Sequence, residues 1–261
     1  MKNPLVSILI ANYNNAKYIA DCINSLKKQK YKNIEIIFFD DNSKDESINE
    51  IKRYKKIKII RNKKKTNISS YNQMKAFWEA YKLSKGDIIC LLDSDDYFHK
   101  NKIEKVVNYF KKDKEIEFLF DYPLIKKNKK IHKIKINRSK KKIFDQWPYN
   151  HPTSCISIKR KEFEYMYKAI SIRKYPEVWM DFRICLYSKY KIKKINKING
   201  HFTYYRRHIE SATSKHTYLS NSWWRRRMQS HSYLIYFLQK EKINFKNNID
   251  YYITKFYNFF I

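Results

Sequence analysis

Apolar residues recur along the first 110 positions in two alternating rhythms. Residues 5–10 form a compact apolar run, residues 15–28 set Tyr18, Ile19, Cys22, Ile23 and Leu26 at helical spacing, and residues 34–39 are apolar again. Residues 43–54 then read as a helix capped by Ser43, 57–60 as a short strand, 70–83 as a helix and 87–92 as a fourth strand. Four alternations of strand and helix require right-handed crossovers. They predict an α/β fold, an open and mostly parallel sheet with helices on both faces.

Open sheets of this kind bind ligands beyond the carboxyl ends of their strands, so the polar residues found there are the candidates for chemistry. Ala11, Asn12, Tyr13 and Asn14 follow the first strand; Asp40, Asp41 and Asn42 follow the second; Asp93, Ser94, Asp95 and Asp96 follow the fourth. A single Asp there would serve as a helix cap. Three carboxylates in four residues repel one another, and a bound divalent cation or exposure to water best offsets that repulsion. Together the three strand ends outline a nucleotide pocket: an aromatic to stack, a pair of carboxylates and a metal site. Glycine-rich phosphate cradles are excluded, because Gly86 and Gly200 are the only glycines. A bound diphosphate therefore has to be neutralised by a metal held on carboxylates, and a pyrophosphorylase with its Gly-rich start is disfavoured on the same ground.

Composition changes this picture in two places. The formal net charge is +32, and it is uneven: +9 over residues 1–120 and +23 over residues 121–261. A cationic second half suits an anionic lipid surface, a polyprenyl phosphate or nucleic acid; it also fits a chain rich in Lys, Asn, Ile, Tyr and Phe together, whose charge runs are solvated loops. The four cysteines, Cys22, Cys90, Cys155 and Cys185, lie too far apart for a disulfide framework or a zinc site, which points to a reducing cytoplasm. The segment after Met1 lacks the features of a signal peptide, and no apolar run approaches the ~18 residues of a transmembrane helix.

Three segments in register carry a resemblance to a known family. Residues 6–14 (VSILIANYN), 35–43 (EIIFFDDNS) and 86–96 (GDIICLLDSDD) resemble the family-2 glycosyltransferases of GT-A fold in order and spacing, over at least residues 4–110. The resemblance implies a Rossmann-like GT-A sheet with a helical C-terminal extension. It assigns Ala11, Tyr13, Asp41, Asp93 and Asp95 to the nucleotide, with Tyr13 stacking on the base and Asp41 accepting a hydrogen bond from it. Asp95 or Asp96 would ligate Mn2+ or Mg2+. Two positions depart from the family pattern: Ala11 stands where Pro is common, and Tyr71 where an Arg precedes Asn72, with Lys65 near enough in sequence to replace that charge.

Transfer of a glycosyl group to a hydroxyl needs a group to take the hydroxyl proton, and nine acidic residues lie beyond position 120. Asp181 opens a predicted helix among large apolar neighbours that raise a carboxyl pKa. A helix cap is its bland reading, while the resemblance makes it the catalytic base. Residues 204–214 (YYRRHIESATS) resemble the segment that closes such sites, with His208 as a further metal ligand and Arg206 meeting phosphate; His151 is expected in the acceptor pocket. The expected organisation is a nucleotide-sugar half (1–120), an acceptor and catalytic half of the same domain (121–216) and a basic aromatic tail (217–261). The tail suits either a membrane interface or helices packed on the sheet. The expected partners are a nucleoside-diphosphate sugar, UDP-linked, a glycan or polyprenyl-linked acceptor, and peripheral contact with anionic membrane at its inner face, with no specific nucleic acid. Two rivals remain. A nucleic-acid-binding protein would show salt-steep binding that survives Asp95→Ala, and a non-catalytic nucleotide-sugar-binding relative would lack the base.

Overall fold

The computed structural model describes residues 3–127, 130–133, 147, 150–192, 194–208 and 216–261. Strands form where the apolar runs lie: β1 (Val6–Asn12), β2 (Ile34–Asp40), β3 (Ile57–Arg61) and β4 (Ile88–Asp93), all paired in parallel in the order β3-β2-β1-β4. A Cβ on Gly86, just before β4, would sit 2.6 Å from the Ser7 amide nitrogen, so only glycine lets the chain enter the sheet there.

The same sheet continues through the second half of the chain. β5 (Tyr97–Phe98), β6 (Phe118–Lys127), β7 (Lys130–Lys133), β8 (Ile156–Lys159) and β9 (Ile195–Arg207) extend it as β4-β8-β6-β9-β5, with β7 beside β6. β8 runs antiparallel to β4 and β6, while β9 runs parallel to β6. The α/β architecture expected from the alternation is therefore present, and the antiparallel partners enter only after β4.

Side-chain parity divides the core between the two faces of the sheet. Leu9, Ile37, Ile89 and Leu91 pack with α3 (Ser69–Leu83), α5 (Arg160–Ile170), α6 (Met180–Lys191) and α7 (Asn221–Lys240). Val6, Ile8, Ile10, Phe38, Cys90 and Leu92 pack with α1 (Ala16–Lys27), α2 (Ser47–Lys52) and α4 (Lys102–Lys112). α8 (Ile249–Phe259) packs on α7. All four cysteines are free and buried.

One helix start differs from expectation. α2 begins at Ser47, because the Ser43 hydroxyl accepts from Asn12 Nδ2 (3.1 Å) and the Asn14 amide (2.9 Å) instead of capping a helix. α4 begins at Lys102, whose ammonium is buried against Asp121 Oδ1 (2.6 Å), the Ser154 carbonyl (2.8 Å) and Thr203 Oγ1 (2.7 Å). Arg183 is also fully buried. Among the described residues it has no carboxylate partner, and it donates to the carbonyls of Ile170, Ile172, Tyr175 and Val178, each at 2.8 Å, which fixes the loop leading into α6.

His151 lies in this interior, with Nδ1 2.9 Å from the Asp121 carbonyl, and burial pushes its pKa from 6.5 down to about 3. Below pH 6.5 the unfolded chain takes up a proton at this residue that the folded chain refuses until about pH 3, so acid favours unfolding in that window. His151→Gln is expected to lose less melting temperature than the wild type between pH 7 and pH 4. Parallel melting curves for the two proteins would contradict this.

Candidate active site

The carboxyl ends of β1, β2 and β4 meet the start of α6 and the end of β9 around a cavity of about 500 Å3. The two loops after β1 and β2 are buckled together. Asn14 and Asn42 take left-handed backbone (φ 51° and 61°), which Asn tolerates better than most residues. Asn12 Nδ2 donates to Asp40 Oδ1 (2.8 Å), and the Ser43 amide donates to Asp40 Oδ2 (3.0 Å). Asp40 is thereby consumed as a brace, which leaves Asp41 to line the cavity.

Asp41 Oδ1 accepts from Asn62 Nδ2 at 2.7 Å, and Lys65 Nζ lies 4.0 Å from Oδ2. Burial raises the Asp41 carboxyl above its ordinary value, although Asn62 and Lys65 oppose the shift. Tyr13 is exposed on the cavity rim, with Lys65 Nζ 2.8 Å from its ring centroid. The lysine noted in sequence as a replacement for the missing Arg does line this site. Tyr71, at the Arg position, instead meets Arg173, whose Nη2 donates to its hydroxyl at 2.8 Å.

The acidic cluster separates into three environments. Asp93 accepts from Gln73 Nε2 (3.0 Å), and burial together with the neighbouring Asp95 pushes its carboxyl up to about 7. Asp95 Oδ2 lies 3.0 Å from His208 Nε2, and both residues line the cavity. Asp96 turns away from the cavity, almost wholly buried, accepting from Ser154 Oγ (2.6 Å) and the Arg206 amide (2.8 Å). Burial, then Asp95 and Asp93, hold its carboxyl well above the ordinary value. Among the described residues there is no cluster of three or more metal-ligating side chains.

Asp181 lies in the first turn of α6 and lines the cavity, with Oδ1 accepting from the Phe182 amide (2.7 Å) and Oδ2 from Asn150 Nδ2 (3.3 Å). Burial raises its carboxyl above the ordinary value, against the opposing charge of Arg226. Ala11, Tyr13, Asp41, Asp93, Asp95, Asp181 and His208 thus line one cavity. Asp96, His151 and Arg206 do not. His151 sits in the interior between Phe120 and Tyr122, and Arg206 pairs with Asp21 at 2.7 Å with its guanidinium over the Tyr18 and Tyr97 rings. Residues 209–214 of the closing segment lie outside the described residues.

The cavity wall also contains Gln73, Trp179, His216 and Arg226, none of which the sequence reading identified. Gln73 carried a weak signal, as a polar residue on the helix that packs on β1 and β2. His216 and Arg226 reach the wall from beyond β9, and nothing in local spacing marks them.

Residues 7–165 match the profile of the family described as Glycosyl transferase family 2. The UDP-Glc:alpha-D-GlcNAc-diphosphoundecaprenol beta-1,3-glucosyltransferase WfaP of Escherichia coli is 40% identical over 113 residues, covering 42% of this chain and 43% of that protein. Among solved structures, S. aureus TarS 1-349 in complex with UDP-GlcNAc superposes with a TM-score of 0.62 at 15% identity, over 88% of this chain and 66% of that one. The mannosyltransferase PcManGT from Pyrobaculum calidifontis, in complex with GDP-Man and Mn2+, gives 0.59 at 11% identity, over 98% and 69%. At such identities the likeness is one of fold. The chain spans less than half of WfaP and about two thirds of the TarS chain, so the likeness does not carry over their substrates.

The division within the acidic cluster is testable by stability. Asp96→Ala orphans the Arg206 amide and the Ser154 hydroxyl, at an expected cost of about 1–3 kcal/mol in denaturant unfolding. Asp95→Ala, on the cavity wall, is expected to unfold at nearly the wild-type denaturant concentration. The reverse order would contradict the assignment of Asp96 to the scaffold.

Proposed function

The chain belongs to glycosyl transferase family 2, and from that premise we propose a metal-dependent, inverting glycosyltransferase. It takes a sugar from a UDP-linked donor to a hydroxyl of a glycan or lipid-linked acceptor, at the cytoplasmic face of the membrane. One observation carries this reading: Tyr13, Asp41, Asp95, Asp181 and His208, from five distant segments, line a single cavity. The name of WfaP gives a diphosphoundecaprenol-linked substrate, which supports the lipid-linked choice of acceptor.

Tyr13 supplies a ring face for the base, and Lys65, now lying over that ring, shifts toward the diphosphate as the base enters. Asp41 keeps Oδ2 for a base N–H while Asn62 holds Oδ1. A carboxylate and an imidazole 3.0 Å apart on the cavity wall, Asp95 and His208, form a donor set that would suit a divalent ion. Burial first, and then the neighbouring carboxylates, raise Asp93 and Asp96, and the second of these causes is of the kind a cation relieves. Asp95 and His208 would hold Mn2+ or Mg2+, which would supply positive charge against the departing diphosphate.

Asp181 takes the proton from the acceptor hydroxyl. The acceptor oxygen bonds to the anomeric carbon as the bond from that carbon to the diphosphate oxygen breaks on the opposite side, and the configuration inverts. UDP leaves, and the proton stays on Asp181 until water removes it. The Phe182 amide and Asn150 hold the carboxylate in place, and Arg226 adds positive charge on the same wall.

Asp181→Asn is expected to lower transfer by about 10²–10⁴-fold with nucleotide binding retained; unchanged turnover would remove Asp181 as the base. The base works only when ionised, and burial raises its pKa. Activity is therefore expected to fall on the acid side at a pH above the ordinary carboxylate range. An acid limb at or below that range would contradict the assignment.

A further inference from the structure

α8 is amphipathic in the reverse sense to a helix covering a core. Three of its polar residues face inward: Asp250 takes Arg227 and Trp147 Nε1 (2.9 Å), Thr254 is fully buried, and Asn258 Nδ2 donates to the Trp224 carbonyl (3.0 Å). Ile249, Tyr252, Ile253, Phe256, Phe259 and Phe260 face outward, at 44–84% exposure. The spacing i, i+3, i+4, i+7, i+10, i+11 makes these one continuous stripe, and among the described residues nothing covers it.

Charge around the stripe has one sign. Residues 217–261 hold seven Lys/Arg and two acidic residues. Both acids turn inward, Asp250 to Arg227 (2.5 Å) and Glu241 to Lys191 (2.6 Å), while Lys240, Lys242, Lys246 and Lys255 are exposed. A second copy of the chain would set two such cationic collars against each other. An anionic lipid surface complements the collar, and Phe with Tyr suits the boundary between headgroups and acyl chains. At 1.5 Å per residue, the 11 residues of α8 extend roughly 16 Å, too short to cross a hydrocarbon core of about 30 Å. No helix among the described residues is long and apolar enough to cross a membrane.

We propose that α8 lies in the plane of an anionic bilayer, with its apolar stripe in the acyl boundary and the surrounding lysines on the headgroups. Docking there sets the catalytic cavity beside the lipid. Within one turn of α7, Arg226 lines the cavity and Arg227 holds Asp250 of α8, so membrane and active site are joined through a single helix. A polyprenyl-linked acceptor then reaches Asp181 without leaving the membrane. This last step rests on the proposed function; the docking does not.

The test is co-sedimentation of the full chain with vesicles of equimolar phosphatidylglycerol and phosphatidylcholine, and with phosphatidylcholine alone. Binding to the anionic vesicles is expected to exceed binding to the neutral ones by at least about tenfold and to weaken as salt is raised. Phe256→Ser with Phe259→Ser is expected to reduce anionic binding by at least about tenfold with the melting temperature unchanged, since both residues are exposed. Three results would overturn the docking: no binding to anionic vesicles, equal binding by the double variant, or a wild-type dimer that the double variant dissolves. Thermal stabilisation by UDP with Mn2+, measured on the same samples, reports the donor site separately, so a failure of the functional reading is distinguishable from a failure of the docking.

Discussion

The buried carboxyl of Asp96 is the interaction on which the geometry of the site depends. It joins the turn after β4 to Ser154, at the entrance to β8, and to the backbone of Arg206 near the end of β9. Those contacts bring the end of β9 to the strand ends of the first half, two residues before His208. The Lys102–Asp121 ion pair reinforces the same junction through the Ser154 carbonyl and Thr203. A buried pair of this kind is costly to assemble and costlier to break, which favours one arrangement over nearby alternatives. The site is thus a product of the join between a parallel half-sheet and a mixed one.

That join explains which parts were legible in the sequence. β1, β2 and β4 are apolar because both faces are covered, so their runs stood out, and the polar residues after each fell at the cavity by the topology of a parallel sheet. Tyr13, Asp41, Asp93 and Asp95 followed directly. Asp96 was drawn to the metal because spacing alone does not distinguish neighbouring carboxylates at a strand end. A hydrogen-bond partner 110 residues away decided its direction.

The second half was harder to read for a physical reason. β6, β8 and β9 pair across long sequence separations, and β6 pairs antiparallel on one side and parallel on the other. No local period announces such pairing. Asp181 stood out because it is a rare acid among apolar neighbours, and His208 because of its surrounding motif. His151 and Arg206 carried comparable local signals yet are held in the interior by the Asp121 carbonyl and by Asp21. In this chain, a polar residue near a motif was as readily a brace as a ligand.

On the proposed function, a nucleotide sugar and a divalent ion share the cavity between Tyr13 and Asp181. A panel of nucleotide sugars, each incubated with the protein and Mn2+ without acceptor, tests it most directly by release of free nucleoside diphosphate. Slow, metal-dependent hydrolysis of at least one UDP-sugar is expected, abolished by chelation and by Asp95→Ala. Failure to hydrolyse any donor, together with no binding of any nucleotide in the presence of metal, would contradict it.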